Sequence, residues 1–507
     1  MLKINNLTIT THKGRILLKD FSFVLNDRDK IALIGEEGNG KSTILKVLAG
    51  VDVSDYVSYT GNILADGKIA YLPQTIPQED LDRNTVEYIS SEMDYSHLYS
   101  LLNRFHVDDS LFDDRIIRTL SGGEKVRLSI LKLLYEDPDI ILMDEPTNDL
   151  DLPTLLWLED FINELKKPLI FVSHDEVLLE ACANGILHLE QLKRKTESVI
   201  TYSGNGYRDY VERRTALIDR TNMIARKEKA QYNKQLEKWR QIYQKVDHKQ
   251  KTASRQDPHG AALLKKKMHS VISQSKQLEV KKENLTKKYE PEEAINIFYP
   301  DVRMDPHKVI LDLYIAELKN ENRILSRNID LQVYGQDKIC IIGNNGCGKS
   351  TLMKEIYSLL KDRQDIRLGY IPQNYSEVID LSLTPVQYLW NGEDAHRRSM
   401  IQSYLGALKF TAEEMEHQIS DLSEGQKCKI LIIKTILDEC DVLLLDEPTR
   451  NLSALSNPVF RSILKDFNGC IIAVSHDRKF IDEVAETVYE MNENGLRELQ
   501  ESIVKEA

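Results

Sequence analysis

Short apolar runs recur along the chain and stop abruptly at polar signals. Ile31 to Ile34 and Ile339 to Ile342 run into glycine-rich stretches, and Ile140 to Met143 and Val442 to Leu445 each run into Asp-Glu. Uninterrupted apolar runs of this length predict strands buried on both faces. Ser42 to Leu48 and Ser350 to Leu359 carry helical spacing directly after the glycines. Strands alternating with helices predict an α/β fold, a parallel sheet with helices on its faces. Ligand chemistry then belongs at the carboxyl ends of the strands, where these polar signals fall.

The middle of the chain has another period. Val211, Ile218, Ala225, Tyr232, Trp239 and Val246 recur every seven residues, with Leu236 and Tyr243 filling a second seam. Leu264, Val271, Leu278 and Leu285 continue the pattern, with Met268 and Tyr289 alongside. Two heptad-patterned helices around Asp257-Pro258-His259-Gly260 predict an antiparallel coiled-coil hairpin turning at those four residues. Forty helical residues would extend roughly 60 Å.

The flanking parts are one domain written twice. Gly35-Glu36-Glu37-Gly38-Asn39-Gly40-Lys41-Ser42 returns as Gly343-Asn344-Asn345-Gly346-Cys347-Gly348-Lys349-Ser350. Tyr71-Leu72-Pro73-Gln74 returns as Tyr370-Ile371-Pro372-Gln373, and Leu120-Ser121-Gly122-Gly123-Glu124 as Leu422-Ser423-Glu424-Gly425-Gln426. Asp144-Glu145-Pro146-Thr147 and Ser173-His174-Asp175 return as Asp446-Glu447-Pro448-Thr449 and Ser475-His476-Asp477. Five elements in one order at nearly one spacing predict a duplication. The expected domains are 1–207, a linker 208–296, and 297–507.

GxxxxGK[ST] between a strand and a helix is a P-loop, whose backbone N–H groups and following helix dipole bind phosphate. The residues expected to hold ATP are Gly35, Gly38, Asn39, Gly40, Lys41, Ser42 and Thr43 in one copy, and Gly343, Gly346, Cys347, Gly348, Lys349, Ser350 and Thr351 in the other. Lys41 and Lys349 reach for the β- and γ-phosphates. Ser42 and Ser350 are Mg²⁺ ligands, with Asp144 and Asp446 holding the ion partly through water. Glu145 and Glu447 follow as the carboxylates that orient or deprotonate the attacking water. His174 and His476 are expected to sense the γ-phosphate, and Gln74 and Gln373 to line the nucleotide site. Mg²⁺ is the only metal expected.

Charge changes the picture of the middle segment. The chain carries a formal −13, yet residues 208–290 hold 22 Lys and Arg against 10 Asp and Glu. That segment is +12 and the remainder −25, a polarised molecule whose basic rod favours a polyanion. Arg255, Gln256, Asp257, Pro258, His259, Lys265, Lys266 and Lys267 are the candidate contacts to the phosphates of such a polyanion. The start, Met1-Leu2-Lys3-Ile4, reads as a strand and not as a signal peptide. Six scattered cysteines suit a reducing cytoplasm, and no apolar run suits a membrane span.

The two LSGGE-like stretches make the chain resemble the ATP-binding cassette (ABC) ATPases. The resemblance implies a head-to-tail sandwich within one monomer. Lys41 would face Ser423 and Gly425, and Lys349 would face Ser121, Gly122 and Gly123, with two ATPs buried between. Two departures predict unequal sites: Glu424 replaces a signature glycine, and Ser453 stands where the first copy has Asp151. Paired cassettes with a charged helical linker, and Tyr202 to Tyr207 before it, further resemble the ABC-F family. That resemblance implies ribosome binding in the tRNA exit site, with the linker tip reaching ribosomal RNA and tRNA near the peptidyl-transferase centre. Hydrolysis would drive release. The long linker, the lack of an inserted arm between Gln74 and Leu120, and the short tail to Ala507 favour the antibiotic-protection branch over a housekeeping translation factor. A transporter ATPase subunit has no need of a long basic hairpin. A repair-type ATPase would carry its coiled coil inside one cassette.

Overall fold

A computed structural model describes residues 1–507 except 91–93, 113–114, 149, 253–257, 290, 292–298, 301, 303, 322, 391, 393–394 and 500–507, and without the side chains of 193–194, 252, 258–261 and 395–396. Two compact units result: Met1–Tyr207 together with Glu292–Ala507, and Arg208–Pro291.

In the first unit the N-terminal copy contains β1 (Leu2–Thr11), β2 (Ile16–Leu25), β3 (Lys30–Ile34), β4 (Val57–Ala65), β5 (Ile69–Leu72), β6 (Ile140–Asp144), β7 (Leu169–Val172), β8 (Gly185–Gln191) and β9 (Glu197–Ser203). The C-terminal copy contains β10 (Val309–Asn320), β11 (Arg323–Tyr334), β12 (Lys338–Ile342), β13 (Leu368–Ile371), β14 (Val442–Asp446), β15 (Cys470–Val474), β16 (Thr487–Asn492) and β17 (Gly495–Leu499). The two central sheets share one topology, β5-β6-β7-β3-β8-β9 and β13-β14-β15-β12-β16-β17. Each is parallel except for its last, antiparallel pair. The duplication read from motifs is therefore a duplication of fold.

Strand alternation builds the core on both faces of each sheet. Leu443, Leu445, Ile471 and Ala473 pack into one layer of the second copy, while Val442, Leu444, Ile472 and Val474 pack into the other. All five residues of β6 and of β14 are buried. The continuous apolar runs thus have their predicted cause.

The two copies meet through ion pairs. Arg461 is almost fully buried, and it donates to Glu176 of the first copy at 2.6 Å and to Glu483 at 2.9 Å. Arg478 donates to Glu159, and Lys479 to Glu180 at 2.6 Å. At the 302-residue offset of the repeat, Arg461 is the counterpart of Glu159 and Arg478 the counterpart of Glu176. The same contact is made twice with its charges reversed. Two first copies paired together would set Glu159 against Glu176, and two second copies would set Arg461 against Arg478. Each half therefore repels its own kind and accepts the other.

The second unit is a hairpin of a 46-residue helix, Tyr207–Thr252, and a 26-residue helix, Pro258–Glu283. At 1.5 Å per residue they are about 69 and 39 Å long. The seam falls where the heptads place it: Ala225, Val246 and Val271 are buried, and Leu236, Trp239, Leu264 and Leu278 half-buried. Tyr243 remains exposed, its ring tilted against that of Trp239 with centroids 5.3 Å apart. Trp239 Nε1 donates to Val271 O at 2.8 Å, fixing the antiparallel register. Beyond Glu283 the returning chain stays attached, its Thr286 and Tyr289 N–H groups donating to Glu228 and Asn222. Trp239→Ala removes both the ring and the cross-helix bond. It should weaken the hairpin by roughly 2 kcal/mol, read as faster amide exchange around Val271; unchanged exchange would show the tie is dispensable.

One expectation is corrected. Pro258, His259 and Gly260 do not form the turn; they open the second helix. Proline suits the first helical turn because its missing N–H would have no intrahelical acceptor there. Arg255, Gln256 and Asp257 lie outside the described residues, as do the side chains of Pro258 and His259. Lys265, Lys266 and Lys267 are exposed.

Candidate functional site

Each P-loop joins a buried strand to a helix beginning at its lysine, Lys41–Ala49 and Lys349–Leu360. Gly40 and Gly348 cap these helices at φ 95° and 107°, a left-handed conformation that favours glycine. Lys41 Nζ donates to Gly35 O at 2.8 Å, and Lys349 Nζ to Gly343 O at 2.6 Å. Ser121 and Ser423 are N-caps of the helices Gly122–Tyr135 and Glu424–Leu437, each in a capping box. Glu145 and Glu447 directly follow their strands at φ 51° and 52°. Two non-glycine residues in this conformation, at the same place in both copies, are local strain of the kind held at functional sites.

The motifs of opposite copies come together. A cavity of about 680 Å³ is lined by Gly346, Gly348, Lys349, Ser350 and Thr351 of the second P-loop, and by Gln373, Asp446, Glu447 and His476. Gly122 and His174 of the first copy complete its wall. Asp151 Oδ2 accepts from Asn345 N at 3.4 Å across the same junction. Cys347 is half-buried beside this loop, and burial raises its thiol pKa.

The pair built on Lys41 is arranged differently. Glu36 is buried, its carboxylate accepting from Ser456 Oγ at 2.5 Å, from Ser453 Oγ, and from Lys429 at 2.9 Å. Burial opposes its charge, but Lys429 and the two hydroxyls outweigh it and hold the carboxyl at about 2. Glu37 Oε2 accepts from the backbone N–H of Gly425 in the opposing signature. Gly425 is confined there: a Cβ would meet Glu37 Oε2 and Asn451 O, each at 2.3 Å.

The acidic groups also differ. In the first copy Ser42 Oγ and Tyr71 OH each donate to Asp144 at 3.0 Å, and His174 Nε2 lies 2.7 Å from Glu145 Oε1. Burial raises the Glu145 pKa, but His174, with Lys41 and Asn148, more than reverses this and brings it to about 2. In the second copy Asp446 Oδ1, Tyr370 OH and His476 Nε2 are buried without hydrogen-bond partners among the described residues. His476 Nε2 is 3.9 Å from Glu447 Oε1. Burial, then the neighbouring Asp446 charge, pushes Glu447 up to about 8, and burial lowers His476 to about 4.

Of the other predicted residues, Asn39 is buried and donates to Leu189 O, Thr43 is half-buried, and Gln74 is exposed. Gly123 is buried against Thr154. Glu424 does not intrude on the Lys41 site: its side chain is about half exposed and pairs with Lys427 at 2.7 Å. The helix N-terminus it occupies also favours its charge. Glu36, Glu37, Lys429 and Ser456 escaped the motif reading. The signal was present in the variable P-loop positions, two glutamates in one copy and two asparagines in the other.

Residues 18–148 and 326–450 match the family model described as ABC transporter, so the model is met twice along the chain. The chain is 27% identical to ABC transporter F family member 5 of Arabidopsis thaliana, the match covering 98% of it and 76% of that protein. It is 30% identical to the ribosome protection protein VmlR of Bacillus subtilis, across 98% of this chain and 88% of the relative. The chain belongs to the ABC-F family of ATP-binding cassette proteins. Both cassettes are accordingly ATPase domains of the ABC type. An archaeal ribosome recycling factor, solved with a ribosomal stalk protein, shares the fold of this ABC-F protein, with a TM-score of 0.62 at 16% identity over 98% of this chain and 91% of that one. Among the described residues no helix is long and apolar enough to cross a membrane.

Proposed function

We propose that this ABC-F protein is a cytoplasmic, monomeric, Mg²⁺-dependent ATPase that binds the ribosome and protects it from antibiotics, with ATP hydrolysis driving its release. The observation that carries the reading is the basic hairpin: a 46-residue and a 26-residue helix of net positive charge, between two ATPase cassettes in the sequence. Phosphate contacts suit such a surface, because they position a protein on RNA without reading its sequence. The match over almost the whole chain to a relative named a ribosome protection protein supports the antibiotic branch. In this reading residues 1–207 and 297–507 are the cassettes, and 208–296 the arm that contacts ribosomal RNA and tRNA.

The cavity at Lys349 fits a magnesium nucleotide, since Asp446 Oδ1 and His476 Nε2 face it with unused hydrogen-bonding capacity. Ser350 and Asp446 would hold the ion, which supplies charge neutralisation between the β- and γ-phosphates. Lys349 and the P-loop N–H groups bind phosphate, and Gly122 closes the opposite side. Glu447 orients and deprotonates water, and His476 senses the terminal phosphate.

Ribosome co-sedimentation tests the binding step. The Glu145→Gln, Glu447→Gln double variant should remain on ribosomes in ATP where the wild type dissociates; equal release of both would sink the hydrolysis-driven step. Replacing Ser254 to Ala261 with a glycine-serine turn should abolish drug tolerance in a susceptible host while ATPase activity persists. Undiminished tolerance would overturn the role of the tip, and recovery of the protein with membranes would favour a transporter partner.

A further inference from the structure

The Lys41 site contains a carboxyl group of the protein's own, seated against the opposing signature. Glu37 Oε2 accepts the Gly425 N–H in the first turn of the 14-residue helix Glu424–Leu437. A backbone N–H in that position is where a helix offers partial positive charge to an anion. The Glu37 charge is favoured by His174 and Lys41, although burial disfavours it more strongly. Glu36 is anchored beside it to Ser453, Ser456 and Lys429, which holds the two carboxylates at the junction.

The Lys349 site has the opposite distribution. Its P-loop carries Asn344 and Asn345 where the first carries Glu36 and Glu37, and the acidic partner, Asp151, comes from the facing copy. In the Lys41 site that facing residue is Ser453. An aspartate at 453 would face the Glu36 carboxylate and repel it, so the departures at 36 and 453 compensate each other. The acid has changed sides, and at Lys41 it has moved onto the phosphate-binding loop.

We propose that Glu37 is a specificity-determining residue of the Lys41 site: its carboxylate takes the signature N–H that a terminal phosphate would take, so the site admits nucleoside diphosphate in preference to triphosphate. The inference rests on the reading of both sites as nucleotide sites. Two anions cannot share one N–H donor, and the carboxylate also repels the extra phosphate. The Lys349 site, with asparagines at these positions, takes triphosphate without that competition.

Isothermal titration of the full chain with Mg²⁺ and a non-hydrolysable ATP analogue tests it. Wild type should bind one equivalent tightly and the second about a hundredfold more weakly or not at all. ADP should fill both sites. Glu37→Asn, which installs the residue of the other copy, should bring analogue binding to two equivalents, and Glu37→Ala, which removes the acceptor altogether, should do the same. Lys349→Ala should remove the tight wild-type equivalent. Two equal analogue sites in wild type, or a single site remaining in both Glu37 variants, would overturn the assignment of Glu37 alone. No analogue bound by wild type would overturn the nucleotide reading and this assignment together.

Discussion

Glu447→Gln should lower steady-state ATP turnover at least ~100-fold, the scale of a lost general base, whereas Glu145→Gln should cost about threefold or less. The two residues occupy equivalent motifs, so any difference between them comes from their surroundings. Glu447 faces the cavity at Lys349, and burial with Asp446 beside it raises its pKa to about 8. A carboxylate that faces the nucleotide cavity can reach the attacking water. Glu145 is instead engaged by His174 at 2.7 Å, which occupies its carboxylate. Its site also contains Glu37 on the opposing signature N–H. Phosphate release by the two single variants, measured side by side, decides the matter; equal losses would mean that both sites turn over and that the asymmetry is only conformational.

Arg461→Ala should destabilise the paired cassettes by about 3–5 kcal/mol, the cost of leaving a buried carboxylate without its partner. The side chain is 2% exposed and serves Glu176 and Glu483 together. Burial works against its charge, but these carboxylates more than restore it. Arg461→Glu should cost more, because it sets a new acid against both Glu176 and Glu483. Adding Glu176→Arg to that variant rebuilds the pair in reverse and should recover most of the loss across the interface, leaving a deficit at Glu483. Shifts in the denaturant midpoint of the cassettes read all three. A loss below about 1 kcal/mol for Arg461→Ala would place the pair with ordinary surface ion pairs. Recovery by the double variant is the more informative result, since it separates charge complementarity from packing.

Much of this protein is local information. Apolar runs of four or five residues can only be strands buried on both faces, and β6 and β14 are buried along their whole length. Heptad spacing makes a seam whatever the surroundings, and Ala225, Val246 and Val271 lie in it. A glycine-rich loop between strand and helix specifies phosphate chemistry, because its left-handed glycines belong to one short stretch of backbone. The duplication followed from counting. The local reading differs from the structure by a few residues at the hairpin tip, where Pro258, expected within the turn, opens the second helix.

The differences between the two halves belong to tertiary structure. Glu424 stood out in the sequence because it interrupts a motif, yet its side chain turns outward to Lys427. Glu36 and Glu37 fall at positions the motif leaves free, and their partners Ser456 and Gly425 lie 420 and 388 residues away. Glu159, Glu176, Arg461 and Arg478 carry no motif, and their reversed pairing becomes visible only when the copies are set face to face. Sequence by itself determined what each cassette is, since backbone conformation and hydrophobic periodicity are set by near neighbours. The tertiary structure alone decided how the cassettes differ, since a buried charge takes its meaning from the group that the fold brings opposite it.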